Sequence, residues 1–303
     1  MENKVYQMVT DRIIEQMNKG IIPWHKPWHL SSGSSEQVAL NYVSRKPYSM
    51  INQWLLMEPG EYLTFTQIKA LKGTIKKGAK SRFVVFFTQV PYEKVNEETG
   101  EKERHTYPLL RYYNVFRLAD TEGIESKLPA PGEAPEVVEA PMCDEADAAI
   151  DAYVASQVTL TFHNDKPSDR AYYSPAEDKV VVPMRAQFDE MAEYYSTAFH
   201  ELTHSTLTEA RCNRKQDGAG ASFFGTKSYS REELVAEIGA AMLCNNFAVD
   251  TAKAFRNSIA YLQSWASNLK NDPKAIVFAA SRAEKAARYI LGERTNVEPA
   301  TTA

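Results

Sequence analysis

Tyr195-Ser-Thr-Ala-Phe-His200-Glu201-Leu-Thr-His204-Ser205 carries His-Glu-x-x-His, and a helix is its natural backbone. His200 and His204 lie four residues apart, one turn along the same helical face. Two imidazoles so placed reach one Zn2+ at about 2.0–2.1 Å. Glu201, next to the first of them, can hold water at the metal and take its proton. Phe199, Leu202 and Leu207 supply the apolar faces that bury such a helix.

A third ligand is on offer downstream. Ser230-Arg-Glu-Glu233-Leu-Val-Ala-Glu237-Ile-Gly-Ala-Ala reads as a second helix, capped by Ser230 with Glu233 closing a capping box. Glu233 and Glu237 share a helical face. One of them can complete a His2Glu zinc shell, and the other can accept a hydrogen bond from a ligand imidazole. A solvated acidic helix start, favoured by the helix dipole, is the competing reading. Against it, Leu234, Val235, Ile238, Ala241 and Met242 leave little of the helix exposed, and buried carboxylates need partners.

The chain of 303 residues is long enough for two domains, each with its own core. Its 44% apolar and 24% charged content is that of a soluble globular protein. No apolar run approaches the roughly 20 residues that cross a bilayer, and the first residues lack the basic-then-apolar plan of a signal peptide. Cys143, Cys212 and Cys244 are widely spaced, which suggests neither a disulfide framework nor a cysteine zinc site. A cytoplasmic protein without a membrane partner is expected. The net charge of −4 is unevenly divided: residues 1–120 hold 17 Lys and Arg against 12 Asp and Glu, while residues 121–150 hold 1 against 8. A polyanionic partner therefore belongs to the N-terminal part.

Residues 4–19 read as an amphipathic helix stopped by Gly20. Pro23-Trp24-His25-Lys26-Pro27-Trp28 follows, held extended by its prolines. Trp24 and Trp28 can serve as platforms for bases with Lys26 on a phosphate, or can simply cover the first helix. Arg45 and Lys46 come next, then a short helix over 48–56 and a capping box at Thr64-Phe-Thr-Gln67. Lys76, Lys77, Lys80 and Arg82 cluster around Gly78, and a solvated face competes here with an anion-binding one. Residues 83–87 and 111–116 read as aromatic strands, with the charged stretch 93–104 as a long hairpin tip. Together these make a small α+β domain, residues 1–125, whose basic and aromatic surface favours single-stranded DNA, because stacking needs unpaired bases.

An acidic, Pro-rich linker over 126–142 marks the boundary to a second domain, 143–303. That domain reads as a helix at 144–156, three short strands at 158–163, 171–174 and 179–183, the metal helix at 186–208, the acidic helix at 230–249 and two closing helices. Helix, small sheet, metal helix and acidic helix is the order of a minimal zincin. Its edge strand before the metal helix can hold an extended peptide, and Lys179–Pro183 is the candidate.

Several of these segments carry a family resemblance over nearly the whole chain. Ile22-Pro-Trp-His-Lys-Pro-Trp28, Tyr62-Leu-Thr-Phe-Thr-Gln67, Lys76-Lys-Gly78 and Val115-Phe116 resemble the N-terminal domain of the ArdC antirestriction proteins of plasmids and mobile elements. Tyr173-Ser-Pro-Ala-Glu-Asp178, His200–His204 and Glu233-Leu-Val-Ala-Glu237 resemble the zincin-like domain behind it. The resemblance implies single-stranded-DNA binding, a metal held by His200, His204 and Glu233, Glu201 as acid/base and Glu237 behind the ligands. Zn2+ is the expected ion, with another divalent metal possible. A protein substrate, such as a restriction enzyme or another DNA-bound protein, goes with a catalytic metal. A non-catalytic protein that occludes DNA, with a structural metal, is the alternative.

Overall fold

The structure, a computed structural model, describes residues 4–19, 21, 23–25, 38–95, 102–128, 143–214, 227–249 and 259–293. Helix α1 (Lys4–Asn18) buries Val5, Val9, Ile13 and Met17, as their helical spacing predicts. After it come β1 (Ala39–Asn41), α2 (Met50–Leu56), β2 (Gly60–Thr64) and α3 (Phe65–Ala70). The capping box at Thr64 is formed: the Gln67 N–H donates to Thr64 Oγ1 at 3.3 Å, and the Thr64 N–H donates to Gln67 Oε1 at 2.9 Å.

β3 (Thr74–Ile75) pairs with β6 (Thr121–Glu122), and β4 (Arg82–Val95) runs antiparallel to β5 (Lys102–Arg117). The order β1-β2-β5-β4 places β4 at an edge, and β2 pairs with β5 only over Val115–Arg117. Beyond that, β4 and β5 continue as a two-stranded ribbon. The expected long hairpin tip over 93–104 is therefore corrected, because pairing persists to Val95 and resumes by Lys102. Polar strands of this kind lack an apolar alternation by which to announce themselves.

The second half begins with α4 (Asp144–Ser156), whose bounds are those read from sequence. β7 (Thr161–His163), β8 (Tyr172–Ser174) and β9 (Lys179–Val181) form a small sheet in the order β7-β9-β8. β9 is thus the central strand, paired parallel to β7 and antiparallel to β8. The expected peptide edge at Lys179–Pro183 is therefore corrected, since the main chain of Lys179–Val181 is already paired on both sides. Strand order is a long-range property that local sequence does not carry.

α5 (Met191–Ser205) and α6 (Lys227–Asn246) pack side by side, followed by α7 (Ile259–Asn271) and α8 (Ala275–Ile290). α6 starts one turn before Ser230, so Ser230 is not its N-cap and Glu233 closes no capping box there. The preceding Lys-Ser-Tyr contains no helix breaker. Leu234, Val235, Ile238, Ala241 and Met242 are all buried, as expected.

Each half was expected to hold its own core, but the largest buried cluster passes through both. Val9, Ile13, Trp24 and Trp54 belong to the same cluster as Leu243, Ile276 and Ala280. Polar contacts stitch the same seam. Thr10 Oγ1 donates to the Pro273 carbonyl at 2.8 Å, Asn245 Nδ2 to the Trp24 carbonyl at 3.3 Å, and the Met50 N–H to Glu284 Oε2 at 3.1 Å. The loop 31–36, residues 129–142 of the linker and the Gly-rich stretch 217–225 lie outside the described residues.

α5 and α6 approach closely at Gly239, where a Cβ would meet Thr203 Cγ2 at 2.6 Å and Oγ1 at 2.7 Å. Thr203 is fully buried and its hydroxyl already donates to the Phe199 carbonyl, so it has nowhere to go. Gly239→Ala is expected to destabilise the fold by about 1–3 kcal/mol, the usual cost of overpacking, read as a lowered denaturation midpoint at unchanged m-value.

Candidate metal centre

α5 presents His200 and His204 from one face, their ring centroids 4.8 Å apart and their planes at 79°. The two Nε2 atoms are 3.2 Å apart. Glu233 of α6 lays one oxygen on each, 3.5 Å from His200 Nε2 and 3.4 Å from His204 Nε2. One donor atom from each of the three residues fits within a 4.8 Å span, a group able to hold a metal ion. Donors about 2.0–2.1 Å from a tetrahedral ion stand roughly 3.3–3.4 Å from one another. The inner nitrogens stand 3.2 Å apart and each meets its own Glu233 oxygen, Oε2 for His200 at 3.5 Å and Oε1 for His204 at 3.4 Å, so the residues fit a divalent ion.

The opposite side of each ring faces a carboxylate. Glu237 Oε2 lies 3.8 Å from His200 Nδ1, the ring nitrogen that faces away from Glu233. Glu232, which the sequence reading passed over, lies 3.6 Å from His204 Nδ1. Arg214 holds Glu232 from behind, with Nη2 donating to Oε1 at 2.6 Å and Nε to Oε2 at 3.1 Å. Its remaining donors reach the Thr203 carbonyl at 2.9 Å and Thr206 Oγ1 at 2.6 Å. Arg214 thereby ties the acidic helix to the end of the imidazole helix. The signal that could have found the pair was an arginine only one loop away from three glutamates on a buried helix.

Charge at the site follows from this packing. Burial alone would lower the His204 imidazolium, but Glu232 and Glu233 outweigh it and raise it to about 9. Burial pushes Glu233 and Glu232 up, yet their hydrogen-bonded partners hold both carboxyls below the usual range: the imidazoles for Glu233, His204 and Arg214 for Glu232. Glu201 is different. It is buried, burial is the largest influence on it, and its carboxyl is raised despite both neighbouring imidazoles and the Tyr173 N–H it accepts. A carboxyl raised in this way beside two imidazoles is suited to take up and release a proton.

β8 is held over Glu201 by a second brace. Arg211 donates to Asp178 at 2.8 and 2.6 Å and to the Ser205 carbonyl at 2.7 Å, and Tyr173 Oη donates to the same Asp178 at 2.8 Å. Burial would raise the Asp178 carboxyl, but hydrogen bonds from Arg211, Thr159 and Tyr173 bring it down to about 2.

The residues offered for DNA contact meet mixed fates. Trp24 is 1% exposed and packs on Trp54 with centroids 5.8 Å apart, so it covers the core and offers no face to a base. Arg45 is spent on the buried Glu61. Arg82 donates to Tyr62 Oη at 2.7 Å and to Glu58 Oε1 at 2.8 Å, which occupies it structurally. Lys46, Lys76, Lys77 and Lys80 stand exposed, although the Lys76 ammonium donates to the Ala119 carbonyl at 2.8 Å. Lys26 and Trp28 lie outside the described residues.

A helix-borne pair of imidazoles, a glutamate from a second helix and a small mixed sheet over the acid/base position define a zincin-like metallopeptidase domain. Residues 148–282 match the zincin-like metallopeptidase family, and residues 3–116 match the N-terminal domain of anti-restriction factor ArdC. The chain belongs to the ArdC antirestriction family. Its crystallised relatives include the metal-free antirestriction ArdC protein of plasmid R388, 32% identical over 97% of this chain and 98% of that one, with a TM-score of 0.66. The Mn(II)-bound form of the same relative is 30% identical, covering 97% and 99%, with a TM-score of 0.67. The uncharacterised protein y4eC of Sinorhizobium fredii is 28% identical over 97% of this chain and 94% of its own length. Two DNA primases TraC of Escherichia coli are each 29% identical over 94% and 98% of this chain, which spans only 20% and 28% of their length.

Glu233→Ala removes a donor atom and is expected to abolish stoichiometric metal binding in a titration calorimeter. Glu232→Gln and Arg214→Met keep all three donors and are expected to weaken the metal about 10–100-fold. The Asp178 brace contributes stability that is complete above the unfolded carboxyl value near pH 3.9 and is lost as pH falls towards 2. Melting temperature against pH should therefore fall more steeply for wild type than for Asp178→Asn between about pH 4 and 2.

Proposed function

We propose that the chain is an antirestriction protein that binds single-stranded DNA through its N-terminal half and hydrolyses peptide bonds at a metal centre in its C-terminal half. His200, His204 and Glu233 would hold the ion, zinc being the expected one. The observation that carries the catalytic part is the difference between the carboxylates. Partners outweigh burial at Glu233 and Glu232 and hold both carboxyls down, while at Glu201 burial outweighs the imidazoles and the carboxyl is raised.

A bound divalent ion supplies Lewis acidity towards a carbonyl oxygen and makes water a stronger acid at neutral pH. Glu201 takes the proton from the attacking water and returns it to the departing amine. Glu232 and Glu237 lie 3.6 and 3.8 Å from the outer ring nitrogens, placed to draw a proton there and so to leave the inner nitrogens for the ion once it is bound. With β9 interior, the sheet edge beside Glu201 is β8, and an extended chain laid along it would pass the acid/base. The crystallised relative's Mn(II)-bound form supports a divalent ion here. The match to the ArdC N-terminal domain, together with the exposed Lys76, Lys77 and Lys80, supports DNA as the other partner.

The test compares zinc-loaded wild type with Glu201→Gln, with and without single-stranded DNA, following cleavage of casein and of the protein itself by gel. Wild type should cleave, faster with DNA, and Glu201→Gln should be slower by at least about 100-fold at equal metal content. Metal-replete wild type that binds DNA yet cleaves neither protein would leave a DNA-occluding protein with a structural metal.

A further inference from the structure

β4 and β5 pair in a register that sorts their side chains cleanly onto two faces. Val84 stands opposite Tyr113, Phe86 opposite Arg111 and Val90 opposite Tyr107, all on one face, with Tyr92 on the same side. Phe83, Val85, Phe87, Leu110 and Tyr112 occupy the other. That second face turns towards the helices: Val85 and Leu110 are buried in the shared core, and Phe87 stacks on Phe278 of α8 at 6.2 Å. Among the described residues the first face is covered only at its base, where Tyr48 packs on Phe86 and Val84 is buried. Further out it is open, and Tyr113, Tyr107 and Tyr92 are 40%, 45% and 44% exposed.

Aromatic side chains usually bury more of themselves than this, and a two-stranded ribbon with neither face fully covered is marginal by itself. Its rings are grouped in cross-strand pairs, Phe86 with Tyr113 at 6.0 Å and Tyr92 with Tyr107 at 5.9 Å. Arg111 stands exposed between the pairs, and the exposed Lys76, Lys77 and Lys80 lie on the loop that leads into the base of β4. Tyr113 and Tyr107 are six residues apart on one strand, about 20 Å at the usual rise. That distance spans about six stacked nucleotides at 3.4 Å each, and fewer of a stretched strand.

We propose that single-stranded DNA runs along this open face of the β4–β5 ribbon, its bases stacked on Tyr113 and Tyr107 and its phosphates drawn by Arg111 and the lysine loop. This rests on the DNA-binding reading above and moves the stacking platform from Trp24 to the ribbon. Stacking requires a π-face and no particular base, so the track takes single strands of any sequence. It rejects duplex, whose bases are already stacked on one another.

The test is anisotropy of a fluorescein-labelled oligothymidine 20-mer with the full chain. Four variants are compared: Tyr107→Ala/Tyr113→Ala, Tyr107→Phe/Tyr113→Phe, Tyr112→Ala, and Lys76→Ala/Lys77→Ala/Lys80→Ala. Loss of the two open-face rings should weaken binding about tenfold per ring while leaving the dependence of log affinity on log salt unchanged. The Phe pair should bind like wild type, because the ring is retained. Tyr112→Ala, equally exposed at 46% but on the opposite face, should also be neutral. The lysine variant should lower the salt slope. Photocrosslinking of wild type to a 5-iodouracil oligonucleotide, mapped by mass spectrometry, should label Tyr107 or Tyr113 and needs no variant to fold. Wild-type affinity in the Tyr107/Tyr113→Ala protein, or crosslinks only outside the ribbon, would overturn the track while DNA binding stands. Wild type that binds no single strand even at low salt would overturn the DNA-binding reading itself, and the track with it.

Discussion

The contact between α5 and α6 is the constraint on which the rest of the site depends. Gly239 has no side chain, and the fully buried Thr203 takes the space, so the two helices meet almost backbone to side chain. At that distance Glu233 reaches both inner imidazole nitrogens, while Glu232 and Glu237 reach the outer ones. A wider spacing would leave carboxylates and imidazoles desolvated without partners, which costs more than the pairing returns. The close approach therefore determines both where the donors lie and which groups carry charge.

The local charge balance follows from this. Four carboxylates, Glu201, Glu232, Glu233 and Glu237, share a small volume with two imidazoles and Arg214. Arg214 neutralises Glu232 from outside, which leaves the inner faces of the histidines with a surplus of negative charge. The His204 imidazole consequently holds a proton up to about 9 in the protein without an ion. A divalent cation would take the place of that proton, so the same arrangement serves either form. Glu201 is set apart because burial outweighs the pull of the two imidazoles beside it.

The N-terminal half does more than lean on this centre. α1, Trp24 and α2 share buried surface with α6 and α8, and hydrogen bonds from Thr10, Met50 and Asn245 cross the same seam. Family membership divides the chain into two domains, but packing joins them into one apolar body. The stacked rings of Tyr6, Phe278 and Phe87 carry that continuity from α1 through α8 to the base of the ribbon. A ligand gripping the ribbon would therefore be held at a set distance from the metal helix.

How much of this was legible in the amino-acid sequence depends on the range of the interaction. His200 and His204 could be paired, and Glu233 and Glu237 put on one face, from spacing, since four-residue separations on a helix are local geometry; the choice of Glu233 over Glu237 came from the family resemblance. The bounds of α4 and the capping box at Thr64 were readable for the same reason. The interior position of β9, the burial of Trp24 beneath Trp54 and the Arg214–Glu232 brace behind His204 were not. Each joins segments far apart in the chain or across a loop, and which partner wins there is decided by packing. The sequence by itself determined which helices form and which chemical groups line their faces. Only the tertiary structure decided which of those groups meet, because desolvation rewards contacts made in space without regard to their separation along the chain.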